Sequence, residues 1–370
     1  MNTRLRQKNG GDKWLIAAVI LLSLIGMLFI YSASAYSAKK TYGDEFYFVK
    51  KQAIGVALGI IAMFLAGRID YHKLRKLVLP ISIISFTTLI LVFIPGIGVE
   101  NYGARRWIGL GGITLQPSEI AKFSLILFSA AYLSAAPERA KTFLGILPVL
   151  AYGGATCLLI IIEPNMSITM CVATLMLTIL FAAGMKIKHF AYVLCPLLVG
   201  GVLLIFIEPY RLSRLAAFLD PWSSPKGEGY QLLQSLYALG SGGWFGVGLF
   251  NSRQKYAFLP FAESDFILSV IGEEIGYVGL IIFFALLGFI IYRGIKAAAS
   301  AKDVFGFLLS VGITMIFGIQ TIINALVVTG SIPPTGLPLP LVSSGNTSII
   351  IFMAEMGVLY NVSKSKSLTF

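Results

Sequence analysis

Ten apolar stretches of roughly 20 residues recur along the chain, at approximately 14–36, 53–67, 77–95, 118–136, 143–162, 166–185, 190–208, 266–292, 304–328 and 345–361. That is the length a helix needs to cross ~30 Å of hydrocarbon. Charged residues make up 12% of the chain, where a soluble domain carries about 25%. The two observations predict an all-α, polytopic integral membrane protein of about ten transmembrane helices, forming a single membrane domain over 1–370. The second stretch is short and borrows residues from its flanks. The fifth and sixth are separated only by Glu163-Pro164-Asn165, where proline cannot continue the preceding helix. The N-terminus imitates a signal peptide: Arg4, Arg6, Lys8 and Lys13 precede an apolar run from Trp14 to Tyr31, followed by Ala33-Ser34-Ala35. The run exceeds the ~7–15 residues of a signal-peptide core, so it is read as a retained first span.

Ten spans put both termini on one side of the membrane, and basic residues say which. One set of connecting segments (1–13, 68–76, 134–142, 185–189, 293–302, 362–370) holds 17 Lys and Arg in 55 positions, and the opposite set (37–52, 96–117, 209–265, 329–344) holds 11 in 111. The bias places both termini in the cytoplasm, although Lys39, Lys40, Lys50 and Lys51 oppose it in the first outer loop. The net charge of +12 is what anionic lipid and the positive-inside rule produce, and it calls for no nucleic-acid partner. The longest loop, 209–265, is then a large extracytoplasmic loop before span eight. Leu212, Leu215, Ala216 and Leu219 repeat in it at helical spacing, which fits a short interfacial helix. Residues 230–239 are a second helical candidate, and Gly240, Gly242, Gly243, Gly246 and Gly248 follow. Such a stretch is able to present backbone N–H groups to an anion.

Cys157, Cys171 and Cys195 all lie in apolar runs and do not form a disulfide framework. With two histidines, His72 and His189, and no Cys/His cluster, the sequence holds no zinc motif. Ionisable groups within spans are costly and mark candidate functional sites. Glu119 and Lys122 at the start of span four are i and i+3, so they share a helix face. Their bland role is mutual neutralisation. Asp265 stands at the mouth of span eight. Ser269, Gly272, Gly276 and Gly279 fall near its face of the helix wheel, which predicts a groove almost free of side chains. Its bland role is to favour the helix dipole. Glu273, Glu274 and Glu355 read as a structural network. Among the outer basic residues Arg105, Arg106, Arg211, Arg214, Arg253 and Lys255, arginine suits bidentate phosphate recognition, and Arg105-Arg106-Trp107 fits an interfacial anchor equally well.

Several motifs resemble those of the SEDS (shape, elongation, division and sporulation) family, the FtsW, RodA and SpoVE proteins. They are Tyr31-Ser32-Ala33-Ser34, Gly103-Ala104-Arg105-Arg106-Trp107-Ile108, Gln116-Pro117-Ser118-Glu119-Ile120-Ala121-Lys122, Ser252-Arg253-Gln254-Lys255, Ser264-Asp265-Phe266-Ile267, Ile271-Gly272-Glu273-Glu274-Ile275-Gly276 and Gly336-Leu337-Pro338-Leu339-Pro340. The similarity runs from about residue 14 to 362, and Ser252–Lys255 leans toward the FtsW/SpoVE branch. The resemblance implies a peptidoglycan glycosyltransferase that polymerises lipid II on the outer face of the plasma membrane. It implies Asp265, Glu119 and Lys122 as catalytic residues, and a class B penicillin-binding protein and other divisome or elongasome membrane proteins as partners. A divalent cation (Mg or Mn) in the pocket belongs to the same expectation. Arg105, Arg106, Arg253 and Lys255 are the candidate substrate contacts. Two alternatives stand beside this reading: a lipid II flippase, and a non-catalytic scaffold for a penicillin-binding protein. The chain departs from the family pattern at Glu163-Pro164-Asn165, at Phe261–Asp265 and at Ser344-Gly345-Asn346.

Overall fold

The computed structural model describes residues 10–101, 104–110, 113–207, 209–256 and 258–364. Arg4, Arg6, Lys8 and Gly103 lie outside them, as does the side chain of Arg211. Twelve α-helices occur among the described residues: α1 Lys13–Tyr42, α2 Tyr47–Arg68, α3 Val78–Leu91, α4 Pro117–Ala135, α5 Phe143–Ile162, α6 Met166–Ala182, α7 Ile187–Ile207, α8 Pro209–Leu219, α9 Tyr230–Gly242, α10 Ile267–Ala299, α11 Val304–Val328 and α12 Asn346–Ser363. A helix stands at each of the ten predicted spans, and α8 and α9 are the two short helices expected in the long loop. Among the described residues, six helical segments are by length and composition apolar enough to cross a membrane: Lys13–Tyr42, Tyr47–Arg68, Tyr71–Leu91, Phe143–Ile162, Ile267–Ala299 and Val304–Val328. Of the remaining predicted spans, α4 and α12 carry buried charged groups, Glu119 and Lys122 on α4 and Glu355 on α12, and α6 has 17 residues. Helix α2 does borrow from its flanks and reaches 22 residues.

Helices α2 and α12 pack closely along their lengths. A methyl group added at Gly357 would lie 2.2 Å from the carbonyl oxygen of Met63, and one at Gly59 would meet Met353 Sδ at 2.4 Å. With no hydrophobic drive between helices in lipid, such close backbone approach is what brings them together. The core proper is formed by α4, α6, α10, α11 and α12, through Leu125, Ile126, Val172, Ile271, Phe317 and Phe352, all nearly inaccessible.

The all-α expectation needs one correction. The loop between α3 and α4 folds as a three-stranded antiparallel sheet, β1 Gly98–Asn101, β2 Ala104–Leu110 and β3 Ile113–Leu115, in the order β1-β2-β3. Ile108 pairs with Leu115 and Gly109 with Thr114. Thr347 Oγ1 on α12 donates to the Thr114 carbonyl at 2.7 Å, which fixes the sheet against the first turn of α12.

Candidate active site

The segment that carries Asp265 is held by a break in α10. Gly276 has φ 66° and ψ −171° inside that helix. A non-helical residue there frees backbone groups that must find partners inside a membrane protein. The glycine-rich stretch supplies them: Val247 N and Gly248 N donate to the carbonyls of Glu273 and Glu274 at 2.9 and 3.1 Å, and Tyr277 N and Val278 N donate to those of Gly243 and Trp244 at 2.9 and 3.1 Å. A methyl group at Gly276 would lie 2.2 Å from Gly246 N. Two expectations change. These N–H groups of the stretch are used in the break, not offered to an anion. The predicted groove on α10 is filled, since a methyl at Gly272 would touch Leu239 at 2.5 Å and one at Gly242 would touch the Gly272 carbonyl at 2.3 Å. The helix wheel fails because the helix does not continue through Gly276.

The adjacent glutamates lock the next segment to α10. Glu273 accepts from Arg253 N at 3.0 Å, Gln254 N at 3.4 Å, Ser241 Oγ at 3.3 Å and Ser252 Oγ. Glu274 accepts from Ser252 N at 3.3 Å and from Ser32 Oγ on α1, and it faces Lys255 Nζ at 3.7 Å. Lys255 is buried and also donates to the Phe250 carbonyl. The structure therefore places Lys255 in the network expected of Glu273 and Glu274. Neither Arg253, which is exposed, nor Lys255 lines the cavity at Asp265.

That cavity has a volume of about 1090 Å³. Its polar end is walled by Asp265, Ser264, Arg106, Arg214 and Gln231, by the loop at Thr335-Gly336 and by the first residues of α12. From there it extends between α6 and α7, along Met166, Met170 and Leu177 on one side and Leu194, Leu198 and Val202 on the other. Asp265 is half-buried on its wall. Burial pushes its carboxyl above the ordinary range, while the hydrogen bond from Ser264 Oγ and the charges of Arg106 and Arg214 pull it down. The Ser264 bond measures 3.0 Å.

The pleat of β2 separates the two neighbouring arginines, because successive strand residues face opposite ways. Arg105 turns outward to Glu100 at 3.1 Å and does not line the cavity. Arg106 lines it, tied to the α5–α6 turn by bonds to the carbonyls of Glu163, at 3.3 Å, and Pro164. The Glu163 side chain beneath is buried with neither oxygen partnered. Burial raises its carboxyl to about 8, opposed by the charge of Arg106.

Glu119 and Lys122 form the predicted pair, 2.7 Å apart with side chains 1% and 2% exposed. They stand behind the cavity wall, and Ser348 at the start of α12 joins them to it, donating to Glu119 at 3.2 Å. Lys122 Nζ also lies 5.3 Å from the centre of the Phe352 ring. Arg214 belongs to the site by position, although sequence spacing gave it no more weight than the other outer cations. Asn165, which caps α6 and lines the cavity, and Asn324 on α11 were not singled out. An amide inside an apolar run is the signal for Asn324. Among the described residues no three His, Cys, Asp or Glu side chains converge to hold a metal ion. Asp265 is the one carboxylate among the residues lining the cavity, and a divalent cation such as Mg is commonly held by one or two carboxylates together with phosphate oxygens of a substrate.

The model of the FtsW/RodA/SpoVE family, described as cell cycle protein, matches residues 12–368. The chain belongs to this family. It is 38% identical over 360 residues to a probable peptidoglycan glycosyltransferase FtsW from Geobacter sp. (strain M18), covering 97% of this chain and 98% of that protein. It is likewise 38% identical over 359 residues to stage V sporulation protein E of Bacillus subtilis (strain 168), with the same coverage. Among solved structures it superposes on a chain of a peptidoglycan synthase complex with a TM-score of 0.78 at 26% identity, over 95% of this chain and 97% of that one. It also superposes on the rod shape determining protein RodA of Thermus thermophilus with a TM-score of 0.70 at 25% identity, over 95% and 96%. The family membership and its membrane helices make this a multi-pass plasma membrane protein.

Proposed function

We propose that this chain is a peptidoglycan glycosyltransferase that polymerises lipid II. One observation carries the reading. A carboxylate with an oxygen free for a proton, Asp265, lies on the wall of a cavity that has two arginines at one end and an apolar trench at the other. A lipid-linked sugar diphosphate has the same order of chemistry: sugar in water, diphosphate beside cations, chain in hydrocarbon.

The Asp265 carboxylate takes the proton of the acceptor sugar hydroxyl. The hydroxyl oxygen attacks the anomeric carbon of the donor, and the bond from that carbon to the diphosphate oxygen breaks. The lipid diphosphate leaves with the electron pair, steadied by Arg106 and Arg214 as its charge develops. A single displacement inverts the anomeric centre. Glu119 and Lys122 act from behind Ser348, as a neutral pair that holds the α4 and α12 ends in place.

The finer architecture belongs to the same proposal: ten spans, both termini cytoplasmic, and the 209–265 loop outside, where lipid II is presented. A class B penicillin-binding protein would supply cross-linking. The test is a labelled lipid II assay on the purified protein. Glycan polymer supports the proposal. Translocation without polymer would make the chain a flippase, and neither activity would leave a scaffold.

A further inference from the structure

The main chain at Asp265 is held from α11 by a buried amide. Asn324 lies on α11, 1% exposed. Its Nδ2 donates to the Asp265 carbonyl at 2.8 Å and to the Leu337 carbonyl at 2.8 Å. Two carbonyl acceptors fix the orientation of this side chain, because an amide oxygen in the same place would repel both. Leu337 follows Gly336, which lines the cavity at φ +69° with its Cα against the Asp265 carboxylate. A methyl group there would lie 3.2 Å from Asp265 Oδ2. Farther along, Ser343 Oγ donates to the Ser264 carbonyl at 2.6 Å and accepts from Leu339 N at 2.8 Å, and Ser344 N donates to the Glu263 carbonyl at 2.9 Å. The 263–265 and 336–344 segments are thus laced side by side. Gln52 on α2 also holds the second segment, donating to the Ser343 carbonyl at 3.2 Å; among the described residues the Asn324 amide reaches both segments from one long helix.

We infer that Asn324 is a positioning residue for the transfer reaction: it holds the Asp265 backbone and the Gly336-Leu337 loop in the one arrangement that keeps the carboxylate poorly hydrated and aimed into the cavity. The inference rests on Asp265 being the base. Asn324 touches neither substrate nor the reacting atoms. It acts by fixing where the base stands, and a misplacement of about 1 Å costs on the order of a hundredfold in rate.

The test measures lipid II polymerisation by the full-length protein as a function of pH, for the native chain and for Asn324→Ala, Asn324→Asp and Asp265→Ala. In Asn324→Ala the expected result is a kcat at least ~10-fold lower with KM within about threefold, the pattern of a loss confined to the transition state. The acid limb of kcat should also move to lower pH, because a released loop lets water reach Asp265. Asn324→Asp should regain activity relative to Asn324→Ala as pH falls, since a protonated carboxyl can again donate to one of the two carbonyls. A role in stability alone would reduce the amount of active protein and leave the limb in place. An unmoved limb therefore overturns the inference, as does native kcat in Asn324→Ala. If Asn324→Ala fails to fold, Gly336→Ala serves in its place. It keeps the amide but presses a methyl on Asp265, and should lower kcat and move the limb to higher pH. Native behaviour of Gly336→Ala would equally overturn the inference. Activity surviving in Asp265→Ala would remove the base itself, an outcome distinct from failure of the Asn324 variants alone.

Discussion

Replacing Lys122 by Met leaves a carboxylate buried behind the cavity wall, and the structure sets how much that should cost. The native Nζ–Oε1 distance is 2.7 Å, and both side chains are at most 2% exposed. Removing one partner of such a pair costs about 3–5 kcal/mol. The orphaned Glu119 keeps one neutral bond, from Ser348 Oγ at 3.2 Å. In the converse variant, Glu119→Gln, the amide oxygen still accepts from Lys122, and the Phe352 ring at 5.3 Å adds about 0.5–2 kcal/mol to hold the cation. Lys122→Met should therefore be the more damaging of the two. At an unfolding entropy of about 2.1 cal/mol/K per residue, or about 0.8 kcal/mol/K over 370 residues, its melting temperature in detergent should fall by roughly 4–6 °C. The double variant Glu119→Gln/Lys122→Met buries no net charge and should recover most of that loss. Because neither residue lines the cavity, it should also recover polymerisation. Melting temperatures that add across the two single variants would refute the pairing. A folded but inactive double variant would refute a purely structural role and bring Lys122 into contact with the diphosphate.

Other outcomes follow from the same geometry. Asp265→Ala should lower polymerisation by about 10²–10⁴-fold, as loss of a general base does, with the protein still folded in the membrane; normal product would exclude it from the mechanism. Burial raises the Asp265 carboxyl, so its ionisation opposes folding: the stability tied to this group is full below its unfolded pKa and is lost as pH rises through the raised value. Asp265→Asn should accordingly raise the melting temperature at pH 7–8, the gain shrinking as pH falls, and a lower melting temperature at pH 8 would contradict this. Gly276→Ala combines a positive φ, worth about 1–3 kcal/mol of strain, with the 2.2 Å overlap on Gly246 N, and should yield little monodisperse protein; native yield and stability would show that the break is not required. In a background without native cysteines, Ser223→Cys, at an exposed position, should react with an impermeant thiol reagent in intact cells lacking an outer-membrane barrier, and Lys302→Cys should not. The reverse labelling would put Asp265 in the cytoplasm and end the polymerase reading.

Hydrophobic length made the helices legible, because each of the ten stretches is self-contained evidence for one helix. The Glu119–Lys122 pair was legible for a similar reason: i,i+3 spacing is a local property. What the sequence hid depends on partners far along the chain. Nothing near Gly276 says that residues 243–248 dock into a break there, so the wheel through Gly279 ran on past the end of a real helix. Arg105 and Arg106 are chemically identical in a one-dimensional reading, and only the register of β2 sends one to Glu100 and the other to the cavity. Lys255 carried the same ambiguity until the structure showed Glu274 opposite it.

The distribution of hydrogen bonds among the buried acids argues for which of them does chemistry. A general base needs an oxygen that is not already committed to a donor. Glu273 receives backbone and hydroxyl donors on both oxygens. Glu119 is held by Lys122 and Ser348, and Glu274 by Lys255, Ser32 and Ser252. These carboxylates are structural struts. Glu163, Glu274 and Glu355 do keep unpartnered oxygens, but none of these side chains lines the cavity. Asp265 combines the two properties: the Ser264 hydroxyl reaches one of its oxygens, and it faces the cavity. Its backbone, by contrast, is tightly held, through Asn324 on its own carbonyl and Ser343 on that of Ser264. Fixing the main chain while leaving the carboxylate free is what a base of unchanging position and undiminished basicity requires.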